Sequence, residues 1–205
     1  MSSNLVRDQK ADHLLTPENA ALIIIDYQPI QVNSINSTVR KPMVENMVTV
    51  AKLAMSFKIP VVLSTVNVKT GINKETISML TDVLKGITSY DRTTLNAWED
   101  KEFNDAVKIT GRKKLIMAAL WTEVCLAFPA LDALKDGYEV YPVVDAVGGT
   151  SITAHEVALR RMEQAGAKLT STSQLACELQ RDWNRHETVD YMVQALVATG
   201  AFFDV

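Results

Sequence analysis

Two kinds of pattern alternate along the chain. Four mainly apolar runs, Ala20 to Ile25, Pro60 to Val66, Lys114 to Leu120 and Glu139 to Val144, have the length and branched-residue content of strands buried on both faces. Between them, apolar residues recur three and four apart. Pro42 opens one such segment, and Val44, Met47, Val48, Ala51, Ala54 and Met55 make a single stripe that must end before Pro60. Glu99 to Thr110 reads as a shorter, charged helix closed by Gly111, and Thr122 to Lys135 as one closed by Gly137. Thr153 with Glu156 forms a capping box for a helix that runs to Gly166. A last short strand is predicted at Ala167 to Thr170, with helices around Gln174 to Trp183 and Glu187 to Ala198. Tyr90 to Trp98 shows no period and reads as a loop. Pro142 inside the fourth run removes a ladder donor and predicts a bulge or an exposed edge.

Strand and helix in alternation specify an α/β fold: three αβα layers around a mostly parallel sheet, because parallel strands need long crossovers that helices supply. Reactive groups in such a sheet gather beyond the carboxyl ends of the strands. A length of 205 residues suits one domain, 1–205. Twenty-one basic against 24 acidic side chains leave a charge of -3, which argues against a nucleic-acid partner. No apolar run approaches the roughly 20 residues that span a bilayer, and Met1 to Leu15 holds no hydrophobic signal core, so a soluble, cytoplasmic chain without a membrane partner is expected. Two cysteines are too few for a disulfide framework. His13, His155 and His186 form no ligand pattern, so neither a metal nor a cofactor is expected.

The strand ends carry the candidate chemistry. Asp26 follows Leu22 to Ile25 directly and stands at a strand mouth, where it reads equally as a turn or capping aspartate. Cys125 lies just past the third run. If Thr122 caps the next helix, the thiol sits in its first turn, where free amides and the positive dipole end favour a thiolate; a buried, inert cysteine is the alternative. Pro129, four residues on, cannot donate to the Cys125 carbonyl and leaves that turn irregular. Arg92 offers a cation to hold an anion at the sheet edge, or a surface pair with Asp91. Trp98 and Trp121 are pocket walls or packing. Gly148-Gly149-Thr150-Ser151 is a weak phosphate signal with no glycine-rich motif around it. His155, in a helix's first turn, reads as solvated or capping.

Ile23-Ile24-Ile25-Asp26-Tyr27-Gln28, Leu120-Trp121-Thr122-Glu123-Val124-Cys125 and Val144-Asp145-Ala146 together resemble the isochorismatase-like cysteine hydrolase superfamily. Asn96-Ala97-Trp98 and the stretch Ala176 to Trp183 are similar to its YcaC-like branch. The resemblance implies a triad of aspartate, lysine and cysteine, carried over to Asp26 and Cys125. Between Gly86 and Asp100 there is no lysine, and Arg92 stands at or beside that position. It also implies a cis peptide before the turn's threonine, here Trp121-Thr122, aiming the amides of Thr122 and Cys125 into an oxyanion hole. Tyr27, Gln28, Asn96, Trp98 and Trp121 are the candidate substrate contacts. The implied reaction is hydrolysis of a non-peptide C–N bond in a small amide or nitrile through a Cys125 thioester, with Asp26 moving the proton and Arg92 acting electrostatically. A vinyl-ether hydrolase, a silent binding or scaffold protein and a nucleotide-binding domain stay open. An active nucleophile predicts that Cys125 is alkylated ahead of Cys177, fastest near neutral pH. Phe202 and Phe203 near the chain end look exposed, and the branch is commonly oligomeric, so a homo-oligomer is expected.

Overall fold

The apolar runs become the middle of one parallel sheet in a computed structural model that describes residues 6–202. β1 (Ala20–Ile25) and β4 (Lys114–Ala119) are buried at every position and pair from Ala20 with Lys114 to Ile25 with Ala119. β2 (Val61–Val66) flanks β1, β3 (Ser89–Arg92) lies outside β2, and β5 (Glu139–Pro142) lies outside β4, giving the order β3-β2-β1-β4-β5. Helices cover both faces. α2 (Arg40–Ser56) packs with α7 (Thr172–Gln180) and α8 (Val189–Ala198) in one layer, while α4 (Lys101–Ile109), α5 (Ala127–Lys135) and α6 (Ile152–Gln164) form the other. The stripe of α2 is what buries Val44, Met47, Ala51 and Ala54. No helix among the described residues is long and apolar enough to cross a membrane.

Several elements differ from expectation. The supposed loop at Tyr90 contains β3, a strand hidden from hydrophobic patterning because it is polar and, at the sheet's edge, pairs on one side only. Conversely, Ala167 to Thr170 contributes just an isolated bridge, Val143 with Thr170. Pro142 is accommodated without a bulge because it closes edge strand β5. The cap of α6 is Ser151, whose hydroxyl accepts the amide of Ala154, and not the Thr153 box. Two short helices, α1 (Pro29–Asn33) and α3 (Ser78–Thr81), interrupt connections that carry no helical period. The Thr122 helix begins as a π-helical turn, Thr122–Leu126, with Trp121 at the cap position.

Candidate active site

From β1 the chain moves outward to β2 and β3, then returns to β4 on the other side, so the crevice between β1 and β4 is the sheet's switch point. Asp26 follows β1, and the π-helical turn bearing Cys125 follows β4. Asp26 has a φ of 62°, in the left-handed region that aspartate tolerates better than most residues. Its amide still donates to the Ser64 carbonyl at 3.0 Å, one rung beyond the strand, which leaves the carboxylate over the ends of β1 and β2.

Arg92 reaches this carboxylate from two strands away, a span of about 10 Å at ~4.8 Å per strand step. Its side chain crosses the end of β2, where Nη1 donates to Ser64 Oγ and to the Thr65 carbonyl, both at 3.1 Å. Nη1 and Nη2 then take the two oxygens of Asp26, each at 2.7 Å, and Nη2 also donates to the Leu95 carbonyl at 3.3 Å. Both side chains are fully buried, and the fork geometry is the strong bidentate form. Although burial disfavours its charge, contact with Asp26 holds the guanidinium protonated. Asp91 is not its partner: that carboxylate accepts the amides of Val68 and Lys69 and the Thr65 hydroxyl.

The Cys125 side chain is brought close enough to the same carboxylate for Asp26 to act on its ionisation. Burial pushes the thiol pKa up, and so do the charge and hydrogen bond of Asp26; the Arg92 charge and the Trp121 amide lower it by less. The resting sulfur is therefore a protonated thiol beside Asp26, not the thiolate that helix start and guanidinium alone predict. Cys125 is 8% exposed whereas Cys177 lies at the surface, so accessibility works against the expected order of alkylation.

The non-proline cis bond is Leu120-Trp121, one residue earlier than expected. The amide of Thr122 is spent on the Gly148 carbonyl at 3.0 Å and is not free for an oxyanion, while the amide of Trp121 points at the Cys125 sulfur. Most of the anticipated substrate contacts are likewise committed elsewhere. Tyr27 is fully buried and donates its hydroxyl to the Ala146 carbonyl at 2.6 Å; burial, with Asp145 nearby, keeps that hydroxyl protonated. Gln28 spends both ends of its amide on the backbone of Val66 and Lys74. Asn96 accepts the Trp98 amide and donates to Asp132, and Trp98 donates to Asp136, about 16 Å beyond Cys125 at ~1.5 Å per helical residue. Trp121 alone of the five adjoins the cysteine turn, partly buried, with its indole N–H on Ser34 Oγ at 2.6 Å. Sequence reasoning missed Ser64 and Thr65, although a polar pair inside an apolar strand was a usable signal. It also missed Glu123 and the bond of His155 to Thr122, for which no local signal exists. Among the described residues, no group of three or more His, Cys, Asp or Glu side chains is arranged to hold a metal ion.

Comparison with known proteins follows the same lines. The family profile "Isochorismatase domain" matches residues 20–174. A curated relative, "Probable hydrolase YcaC" of Escherichia coli (strain K12), is 35% identical over 170 residues, covering 82% of this chain and 81% of its own. The solved YcaC of Pseudomonas aeruginosa, described with hexane-2,5-diol and covalent acrylamide, superposes with a TM-score of 0.85 at 31% identity, over 91% of this chain and 92% of that one. The Escherichia coli YcaC structure, described as an octameric hydrolase of unknown specificity, gives a TM-score of 0.85 at 32% identity, over 93% and 92% of the two chains.

Proposed function

The chain belongs to the isochorismatase family of hydrolases, and from that premise we propose that it is a cysteine hydrolase opening the C–N bond of a small amide or nitrile. One observation carries the reading: a buried aspartate, gripped by both prongs of a guanidinium, stands beside a cysteine thiol whose pKa it helps to raise, at the sheet's switch point. The thiol proton passes to Asp26 as Cys125 Sγ attacks the carbonyl carbon, so the nucleophile is generated at the moment of use. The Trp121 amide, with that of Cys125, stabilises the charge that develops on oxygen. Asp26 returns the proton to the leaving amine, and a thioester remains. Water deprotonated by Asp26 then releases the acid and restores the thiol. Arg92 stays charged throughout, since a guanidinium does not shuttle protons, and its work is to orient Asp26 and balance its charge.

The covalent acrylamide named for the Pseudomonas aeruginosa relative, an electrophile that nucleophilic side chains capture, supports nucleophilic chemistry in this fold. We read 1–205 as one cytoplasmic domain that forms a homo-oligomer, as the octameric Escherichia coli relative supports. Phe202 is 41% exposed and packs only loosely on Trp183, with ring centroids 6.3 Å apart; Phe203 lies outside the described residues. The test is a screen of small amides and nitriles for released ammonia, with Cys125→Ala as control. Turnover should fall on the order of a thousandfold or more in that variant. Retention of most activity, or survival of activity toward isochorismate, would exclude sulfur chemistry and favour a vinyl-ether hydrolase.

A further inference from the structure

The turn that presents Cys125 is poorly supported by its own backbone. Its bonds run with π spacing, Leu126 N to Trp121 O at 3.2 Å, and Pro129 cannot donate to the Cys125 carbonyl. Support comes from outside, from the segment after β5 and the first turn of α6. The Gly148 carbonyl takes the amide of Thr122, and His155 Nδ1 lies 2.8 Å from the Thr122 hydroxyl. Glu123 Oε1 accepts both the amide of Thr150, at 2.9 Å, and its hydroxyl, at 2.6 Å. Between these anchors Gly149 lies so close that a Cβ there would overlap the Glu123 carboxylate and crowd the Cβ of His155. The same glycine holds the loop after α1: its carbonyl accepts the amides of Asn36 and Ser37, and its own amide donates to Ser37 Oγ at 2.8 Å.

We propose that Gly148–His155 is a clamp that fixes how Cys125 meets Asp26, with Glu123 and His155 as positioning residues, an inference that rests on the cysteine-hydrolase reading. Thr122 is fully buried, so its hydroxyl needs a partner, and a neutral imidazole provides an acceptor at Nδ1. Burial lowers the His155 pKa and favours that neutral form; Glu123 from the facing turn and Glu156 from α6 itself pull the other way. The clamp acts on geometry and takes no part in proton transfer.

The test uses iodoacetamide on the full chain, with each cysteine followed by mass spectrometry and the exposed Cys177 as internal reference. In the unmodified sequence Cys177 reacts first. In His155→Ala and in Glu123→Ala the turn loosens and the thiol loses the burial and the Asp26 contact that hold its pKa up, so the Cys125-to-Cys177 rate ratio at pH 7 should rise, about tenfold for each pKa unit the thiol falls. His155→Asn, whose amide oxygen takes the place of Nδ1, should restore the original ratio. An unchanged ratio in both alanine variants, or an asparagine variant that behaves like alanine, overturns the clamp. Failure of the hydrolase reading is separately visible as turnover that survives Cys125→Ala while these ratios behave as stated.

Discussion

Two cations are buried at opposite ends of the same sheet, and their partners separate their roles. Lys114 opens β4 at the amino end, where its ammonium donates to the carbonyls of Asp12, His13 and Leu14 at 2.7, 2.6 and 3.0 Å. Burial lowers its pKa, and the Tyr141 ring lies 5.8 Å from the nitrogen. Arg92 closes β3 at the carboxyl end and spends its two terminal nitrogens chiefly on one carboxylate. Backbone carbonyls cannot take up a proton at any ordinary pH, and the Glu139 carboxylate, 4.0 Å from the ammonium, is half-exposed and bonded to Lys168, so Lys114 serves to fasten the segment that precedes β1. The Asp26 carboxylate is buried and can take up a proton, and a thiol stands beside it. Burial of charge is thus common to both ends; a partner able to change its protonation, next to a nucleophile, is what makes one of them a reaction centre.

The comparison is broken or sharpened by substitution at each end. Arg92→Met should have the larger effect: Asp26 is left charged and unpaired in the interior, costing about 3–5 kcal/mol in urea unfolding, and turnover should vanish even in the folded fraction. Lys114→Met keeps the apolar stem but strips three carbonyls of their donor, for a loss of about 1–3 kcal/mol, with turnover per folded molecule unchanged. A Lys114 variant that folds and is inactive would erase the distinction between the two ends. The smallest effect is expected at Asp91, the neighbour of Arg92 that does not pair with it. Burial raises its pKa, but the amides of Lys69 and Val68 and the Thr65 hydroxyl outweigh this and leave it below the ordinary 3.8. Its stabilising contribution is therefore complete above that value and lost as pH falls through the lowered native one. Asp91→Asn should flatten the acid limb of a stability-versus-pH curve while leaving turnover near neutral pH intact.

How far the sequence could be read depended on how local each signal is. Asp26 and Cys125 could be placed at a strand's end and a helix's start because those are short-range patterns, but each kept a plain structural alternative until the family resemblance joined them in a triad. Arg92 was named, but its partner could not be, since the pairing requires β3 to lie beside β2 and β2 beside β1, and β3 itself is too polar to announce a strand. Asn96 and Trp98 were candidate contacts because Asn96-Ala97-Trp98 is similar to the YcaC-like branch and a tryptophan can wall a pocket; in space they fasten the far part of α5. The ionisation of the thiol was beyond sequence in principle. Its direction is the balance of burial and Asp26 against Arg92 and one amide, and that balance is a matter of distances.

Ser64 and Thr65 give β2 a blemish that a stability-minded redesign would correct first. Valine at both would bury more hydrocarbon, at the cost of the buried hydroxyl bonds to the Tyr90 carbonyl and to Asp91. It would also remove the Ser64 hydroxyl on which the guanidinium rests in its crossing to the first strand, so the greasier strand would serve an idler molecule.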